Sequence, residues 1–119
     1  MALTQKRLAG PSQLTASTAV YYTTPISTTT IVKQIILTNT TATSKTVTIR
    51  LKPANVTEAN THDIFSSVTV NANETVSFSC SLILNNNGST ANATNSDQLT
   101  AFCSAATAVN LTVVGVEET

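Results

Sequence analysis

The sequence is poor in charge and in aromatic residues. Only 10% of its 119 residues are charged and 4% are aromatic, with no tryptophan and a single histidine. Typical soluble domains carry about 25% charged residues, and nucleic-acid-binding domains add a strongly basic face. Here six Lys/Arg balance six Asp/Glu, so the formal net charge is zero. This balance argues against nucleic acid as a partner.

Cysteine and long apolar runs are scarce as well. No segment approaches the ~20 consecutive apolar residues of a membrane span, and no apolar stretch follows the basic N-terminus as it would in a secretory signal. We therefore expect no membrane partner. Two cysteines are too few for a disulfide scaffold. Cys80 and Cys103 alternate with apolar residues, which favours buried free thiols over a cross-strand disulfide, the less favoured alternative.

Threonine, serine and asparagine dominate the composition, with 24, 12 and 11 residues. Threonine is β-branched and favours strands, whereas asparagine and serine favour turns. No long stretch has a helical period. Seven stretches are predicted as strands: Val20 to Thr23, Thr30 to Thr38, Lys45 to Lys52, Ile64 to Val70, Thr75 to Leu84, Gln98 to Ser104 and Ala108 to Glu117. The pattern predicts an all-β, antiparallel β-sandwich of seven to eight strands, either jelly-roll or immunoglobulin-like.

The stretch "SVTVNANETVSFSCSLIL", residues 67–84, illustrates the pattern. Apolar residues alternate with Thr, Ser and Asn around a tight turn, so one face is apolar and the other carries hydroxyls with almost no charge. Short hydroxyl side chains lose little entropy on ordering and are cheaper to desolvate than Lys or Glu. Such a face suits contact with another protein surface.

The first nineteen residues are predicted as an extended N-terminal arm, and residues 20–119 as the sandwich domain. Gly10-Pro11 marks a turn inside the arm. Because a terminus is usually disordered unless something holds it, an ordered arm would lie against its own sheet or against a neighbouring subunit.

Chemical sites are hard to find in this sequence. Nucleophilic catalysis needs a nucleophile, a base and an orienting acid, but the one histidine, His62 beside Asp63, has no serine in a sharp Gly-flanked turn to act on. The cysteines lack the spacing of a zinc site, and the Asn-rich loop 85–97 offers calcium a single carboxylate, Asp97. We therefore expect no catalytic residue, no metal and no cofactor.

The charges are ordered along the chain. All six Lys/Arg precede all six Asp/Glu, which begin at Glu58. Either the two halves interleave and their charges pair, or the subunit has one basic and one acidic end that could dock on an acidic shell or pack head to tail.

Four short motifs carry a resemblance to a known family: Leu-Ala-Gly-Pro at 8–11, Tyr-Thr-Thr-Pro at 22–25, Asn-Thr-Thr at 39–41 and Gly-Val-Glu at 115–117. In this order the chain resembles small β-sandwich proteins encoded among the virion structural genes of tailed bacteriophages, which look like capsid decoration proteins, head fibres or tail accessory proteins. The resemblance covers most of the chain, and its motifs are structural rather than catalytic.

The resemblance implies a non-enzymatic virion protein on the phage particle surface, assembled in the host cytoplasm. We expect a capsid decoration (cement) protein that binds the major capsid protein or another virion protein, as a symmetric homo-oligomer with a trimer favoured. The alternatives are a tail, baseplate or collar adaptor and a host-surface or carbohydrate-binding module that uses the tyrosines or the loop 85–97. The expected partner-binding residues are Leu3, Lys6, Arg7, Leu8, Leu14, Tyr21 and Tyr22.

Overall fold

The computed structural model describes residues 2–88 and 90–119, which form eight strands and one short 3-10 turn at Asn60–His62. The strands are β1 (Leu3–Gln13), β2 (Ala19–Thr23), β3 (Thr29–Asn39), β4 (Lys45–Lys52), β5 (Asp63–Val70), β6 (Thr75–Asn85), β7 (Gln98–Cys103) and β8 (Val109–Glu118). No helix in these described ranges is long and apolar enough to cross a membrane.

The strands form two antiparallel sheets of four. Sheet A has the order β1-β8-β3-β6, and sheet B has the order β2-β7-β4-β5. The first strand pairs with the last, and the chain changes sheet at most of its connections, which is the jelly-roll arrangement of a sandwich. The predicted all-β sandwich is confirmed, and of the two topologies considered the strand order is that of a jelly roll.

Strict alternation along the strands builds the core between the sheets. In β8, Val109, Leu111 and Val113 are fully buried, whereas Asn110 and Thr112 between them are partly exposed. Because successive side chains of a strand point to opposite faces, one face of each sheet supplies the core. The largest fully buried side chains are Leu14, Ile35, Leu37, Ile49, Leu84, Leu99 and Leu111, followed by five valines.

The N-terminal segment departs from the expected arm. Residues Leu3–Gln13 form strand β1, which pairs along β8 at the edge of sheet A, and Leu14 belongs to the core. Of the two places considered for an ordered arm, its own sheet is the one occupied. The sequence does not reveal this strand because β1 is interrupted by two register shifts, between Arg7 and Ala9 and between Ala9 and Ser12.

The motifs behind the family resemblance have local structural roles. Gly10 lies at the irregular part of β1 with φ +75, and a Cβ there would lie 2.0 Å from the Leu111 carbonyl oxygen. Gly115 leaves room for β3, since a Cβ would lie 2.2 Å from the Ile31 carbonyl oxygen. Asn39 is buried and its side-chain amide donates to the carbonyls of Thr43 and Val70, which shapes the β3–β4 turn. These residues specify the fold and carry no chemistry.

Candidate docking surface

Tyr22 is an internal residue. Its hydroxyl donates to Glu117 Oε2 at 2.5 Å and lies 2.6 Å from Thr30 Oγ1, so the Thr30 hydroxyl is the donor to the phenol oxygen. Burial, and then the hydrogen bond to Glu117, raise the pKa of Tyr22 well above its ordinary value. Lys6 Nζ completes the group 3.1 Å from Glu117 Oε1. These contacts link β1, β2, β3 and β8. Because the Tyr22 side chain is buried, it is not available for contact with a partner.

Tyr21 is partly buried and has a supporting role. It packs against the core, and its hydroxyl accepts the Thr15 backbone N–H at 3.3 Å. Sugar-binding sites usually present an aromatic face to solvent, so neither tyrosine fits that use.

The His62 region does not assemble a catalytic group. The Asp63 carboxylate accepts from Arg50 Nε at 2.6 Å, and Nδ1 of His62 is buried without a hydrogen-bond partner. Arg50 also lies 3.6 Å from Glu58 Oε1 and 5.1 Å from the centroid of the Phe102 ring. These contacts hold the β4–β5 connection over the outer face of sheet B. Within residues 2–88 and 90–119, no group of three His, Cys, Asp or Glu side chains could hold a metal ion.

The loop 85–97 uses its polar groups internally. Asp97 accepts the backbone N–H of Ala54 through Oδ1 and that of Asn85 through Oδ2. Asn86 donates to the carbonyls of Thr24 and Thr90 and to Ser96 Oγ. Both oxygens of the only carboxylate in this loop therefore already accept backbone hydrogen bonds, which stabilise the β6–β7 and β4–β5 connections.

Cys80 and Cys103 are free thiols on different sheets, in β6 and β7. Cys103 is buried, and burial raises the pKa of the Cys80 thiol although nearby Lys33 lowers it. Since the thiolate is the reactive form, Cys80 has the character of a structural thiol.

The hydrogen-bond and ion-pair networks described above do not occupy the outer face of sheet A, so its side chains are available for contact with a partner. Register places Gln5, Val116, Ile31 and Ile83 in one row across its four strands, and Ile83 is 57% exposed. The next row toward the middle of the sheet places the outward-facing Val114 between Arg7 on β1 and Gln34 on β3. This face therefore carries a patch of apolar side chains on β8, β3 and β6 with polar and charged residues beside it.

A shallow depression of about 340 Å³ lies on this face. Its lining is mostly apolar and consists of Gln5, Lys6, Lys33, Val114, Gly115 and Val116. Lys33 and the nearby Arg7 are exposed and form no ion pair with any residue in the described ranges, whereas Lys6 is held by Glu117. We call this region of β1, β8 and β3, with the two unpaired cations, the docking surface.

The structure separates the expected partner-binding residues into two groups. Leu3, Lys6 and Arg7 lie on the exposed part of β1 beside the docking surface, with Leu3 67% exposed. Leu8 is partly buried against the core, and Leu14 is buried in it at 1% exposure. For Leu14, and for Tyr22 above, the expected role as a contact is corrected, because a side chain in the core cannot reach a partner.

Sequence reasoning missed Lys33 and the outward valines of β8. The signal is present in "IVKQIIL", where apolar residues fall on both faces of the strand around a single lysine. A strand covered on one side only should have polar residues on the other. The departure from alternation has two causes: a register shift at Lys33, and the outward-facing Ile31 and Ile36 on the solvent side of β3.

Two of the early cations meet late acids in the fold. Lys6 pairs with Glu117, and Arg50 pairs with Asp63 and Glu58. The early cations and late acids meet because the sandwich interleaves the two halves of the chain. Charge pairing across the halves therefore applies to Lys6 and Arg50, whereas the other four cations form no ion pair within the described residues.

Comparisons with known proteins find the fold but no family. A subunit of the Bacillus endospore appendages, described as disulfide-linked pili, aligns over 98% of this chain and 88% of its own length, with a TM-score of 0.56 and 18% identity. A chain of infectious bursal disease virus, Gx strain, aligns over 98% of this chain and 32% of its own length, with a TM-score of 0.54 and 13% identity. No protein-family model and no curated protein matches the chain. The chain is thus similar in fold to an appendage subunit and to about a third of a viral protein.

Proposed function

We propose that this protein is a non-enzymatic structural component of an assembled particle, specifically a decoration protein that binds the capsid of a tailed bacteriophage through the docking surface. The observation that carries the proposal is the apolar depression beside the unpaired cations Arg7 and Lys33. A rigid, mostly apolar sheet face with a few free cations fits a flat, acidic protein surface.

The remaining polar groups support a structural role. Arg50 and Asp63, the buried Tyr22 and the loop carboxylate of Asp97 each find their hydrogen-bond partners inside the domain. The two similar folds belong to a pilus subunit and a viral chain. The proposed mechanism is mass action: a protein that binds only the assembled shell stabilises that shell.

A carbohydrate-binding module is a weaker alternative. It would need an exposed aromatic platform, but Tyr22 is buried and Tyr21 is tied to Thr15. The tail or collar location differs from the capsid only in the partner, and it is decided by the same experiment.

Charge reversal on the docking surface tests the proposal better than deletion of the arm, because deletion would remove strand β1 from sheet A. Purified wild type, Arg7→Glu and Lys33→Glu would each be mixed with undecorated capsids and with isolated tails, and the particles pelleted. We expect wild type to coat capsids at high copy and each variant to bind about tenfold or more weakly.

The matched control is Lys45→Glu, the same charge change on sheet B, where the Lys45 ammonium group donates to Thr43 Oγ1 and forms no ion pair within the described residues. It should bind capsids as wild type does. Retention by tails but not by capsids would refute the capsid proposal in favour of a tail component. Equal loss in Lys45→Glu would show that overall charge, and not the docking surface, drives binding.

A further inference from the structure

Strand β6 is an unprotected edge of sheet A. It is 11 residues long and, within the described part of the chain, pairs with β3 alone. It contains no charged residue, proline or glycine. Its one irregularity lies between Ser79 and Leu82, and the segment Thr75–Ser79 follows β3 residue by residue. A long edge of this kind offers a row of free backbone donors and acceptors to another strand.

The other three edges carry features that discourage pairing. β1 has two adjacent cations, a proline and two register shifts. β2 has only five residues and a register shift. β5 has two register shifts in its pairing and a positive φ at Ser67. Short strands, edge charges, proline and bulges are the usual protections of an edge, so β6 is the exception in this molecule.

The core is also incompletely covered on the side of β6. The inward-facing residues of β6 from Val76 to Leu82 are only partly buried, while their inward-facing neighbours on β3, such as Ile35 and Leu37, are fully buried. Phe78 of β6 stacks on Phe65 of β5, with ring centroids 4.6 Å apart, across the gap between the two sheets. The half-covered apolar seam consists of Ile64, Phe65, Val76, Phe78, Cys80 and Leu82.

We propose that β6 is a self-association strand that pairs antiparallel with β6 of a second copy of this chain around a two-fold axis near Ser77. The two A sheets then form one continuous eight-stranded sheet, and the second copy covers the seam at Val76 and Phe78. The unpaired backbone groups of the edge gain partners in the same step.

The charge-free sequence of β6 argues for a second copy as the occupant. With the axis at Ser77, Ser77 faces its own equivalent and Val76 faces Phe78 of the other copy, so apolar side chains meet on the inner side and no charge is buried at the junction. The outward residues Thr75, Ser77 and Ser79 instead place hydroxyls opposite hydroxyls, and Thr and Ser pairs across strands stabilise a sheet. The inferred pair is a dimer, in contrast to the trimer that the family resemblance favours.

A single charge at the axis tests the proposal. Ser77 is exposed in the isolated subunit, so Ser77→Lys should fold, and thermal melting verifies this. The control is Thr4→Lys, which adds the same charge to an exposed position on the opposite edge of sheet A. Sedimentation equilibrium should find a wild-type dimer, a dissociation constant raised about tenfold or more in Ser77→Lys, and no change in Thr4→Lys.

Crosslinking gives an independent readout of the same geometry. A cysteine near a two-fold axis lies close to its own copy, so Ser77→Cys should form a covalent dimer on mild oxidation. Thr4→Cys and wild type, whose two cysteines are partly or fully buried, should not.

Three results would overturn the inference: a wild-type monomer at every concentration up to about 1 mM, a closed trimer, or equal weakening by both lysine variants. A closed trimer would require a head-to-tail interface in which β6 meets a different surface. The docking surface lies on β1, β8 and β3, so failure of self-association leaves capsid binding unaffected, and failure of capsid binding leaves the dimer unaffected.

Discussion

The hydroxyl of Tyr22 is expected to contribute more to the stability of the folded protein than the hydroxyl of the neighbouring Tyr21. Tyr22→Phe leaves the ring in place but takes one hydrogen bond from Glu117 and one from Thr30. Thr30 is fully buried, and its hydroxyl has no other hydrogen-bond partner in the described chain. A bond to a charged group contributes about 1.5–3 kcal/mol and a stranded buried hydroxyl costs about 1–3 kcal/mol, so we expect a loss of about 2.5–6 kcal/mol in the free energy of unfolding.

The neighbouring tyrosine supplies a matched control. Tyr21→Phe removes a hydroxyl that accepts only the exposed Thr15 N–H at 3.3 Å, so it should cost less than about 0.5 kcal/mol. Urea unfolding of both variants at neutral pH measures the difference. Equal costs, or a cost below about 0.5 kcal/mol for Tyr22→Phe, would refute the assigned network.

The pH dependence provides a second readout with a definite sign. The folded protein raises the pKa of Tyr22 above the ordinary value of 10.0 that the unfolded chain keeps. Above about pH 10 the unfolded chain therefore releases a proton that the folded chain retains, and stability falls as pH rises, by up to about 1.4 kcal/mol per pH unit. Below that pH the contribution is fully present. Tyr22→Phe should lack this part of the decline, and identical slopes for the two proteins would contradict the pKa shift.

Three further predictions concern close packing, the ion pair and the thiol. Gly115→Ala should destabilise the protein by about 3 kcal/mol, the upper end for overpacking, in urea unfolding, because the added Cβ meets backbone, whereas Gly88→Ala meets a side chain and should cost less. Arg50→Ala should cost about 1–3 kcal/mol, and a double-mutant cycle with Asp63→Asn should give a coupling of about 1 kcal/mol; additive costs would rule out a direct pair. Cys80 should react with a thiol reagent at pH 8 about tenfold or more slowly in the folded than in the unfolded protein, and equal rates would place it at the surface.

Much of the fold could be predicted from alternation. In "KTVTIRL" the inward residues Val47 and Ile49 are fully buried in β4, and Arg50 lies on the other face. The seven predicted strands correspond to β2 through β8 within one residue at every end. These predictions hold because the side-chain period of two is a local property of an extended chain.

The first strand and the docking surface could not be predicted in the same way. β1 is mostly exposed and irregular, so its sequence shows no sustained alternation, and only pairing with β8 defines it as a strand. The docking surface joins Gln5, Lys33 and Val116, which are far apart in sequence. Whether such residues lie close together depends on which strands are adjacent in the sheet. The two-residue alternation of side chains along a strand does not specify the adjacent strand.

The sequence by itself determined that this is an all-β sandwich with few charges, a core of alternating aliphatic residues, turns rich in Asn and Ser, and no visible catalytic constellation. The tertiary structure decided the rest: the order of the strands, the pairing of early cations with late acids, the burial of Tyr22 and Leu14, and the exposure of β6 as an edge. The physical reason is one of range. Local steric preference and hydrophobic period act within a few residues, whereas the contact between Lys6 and Glu117 spans 111 residues and exists only once the sheets have assembled.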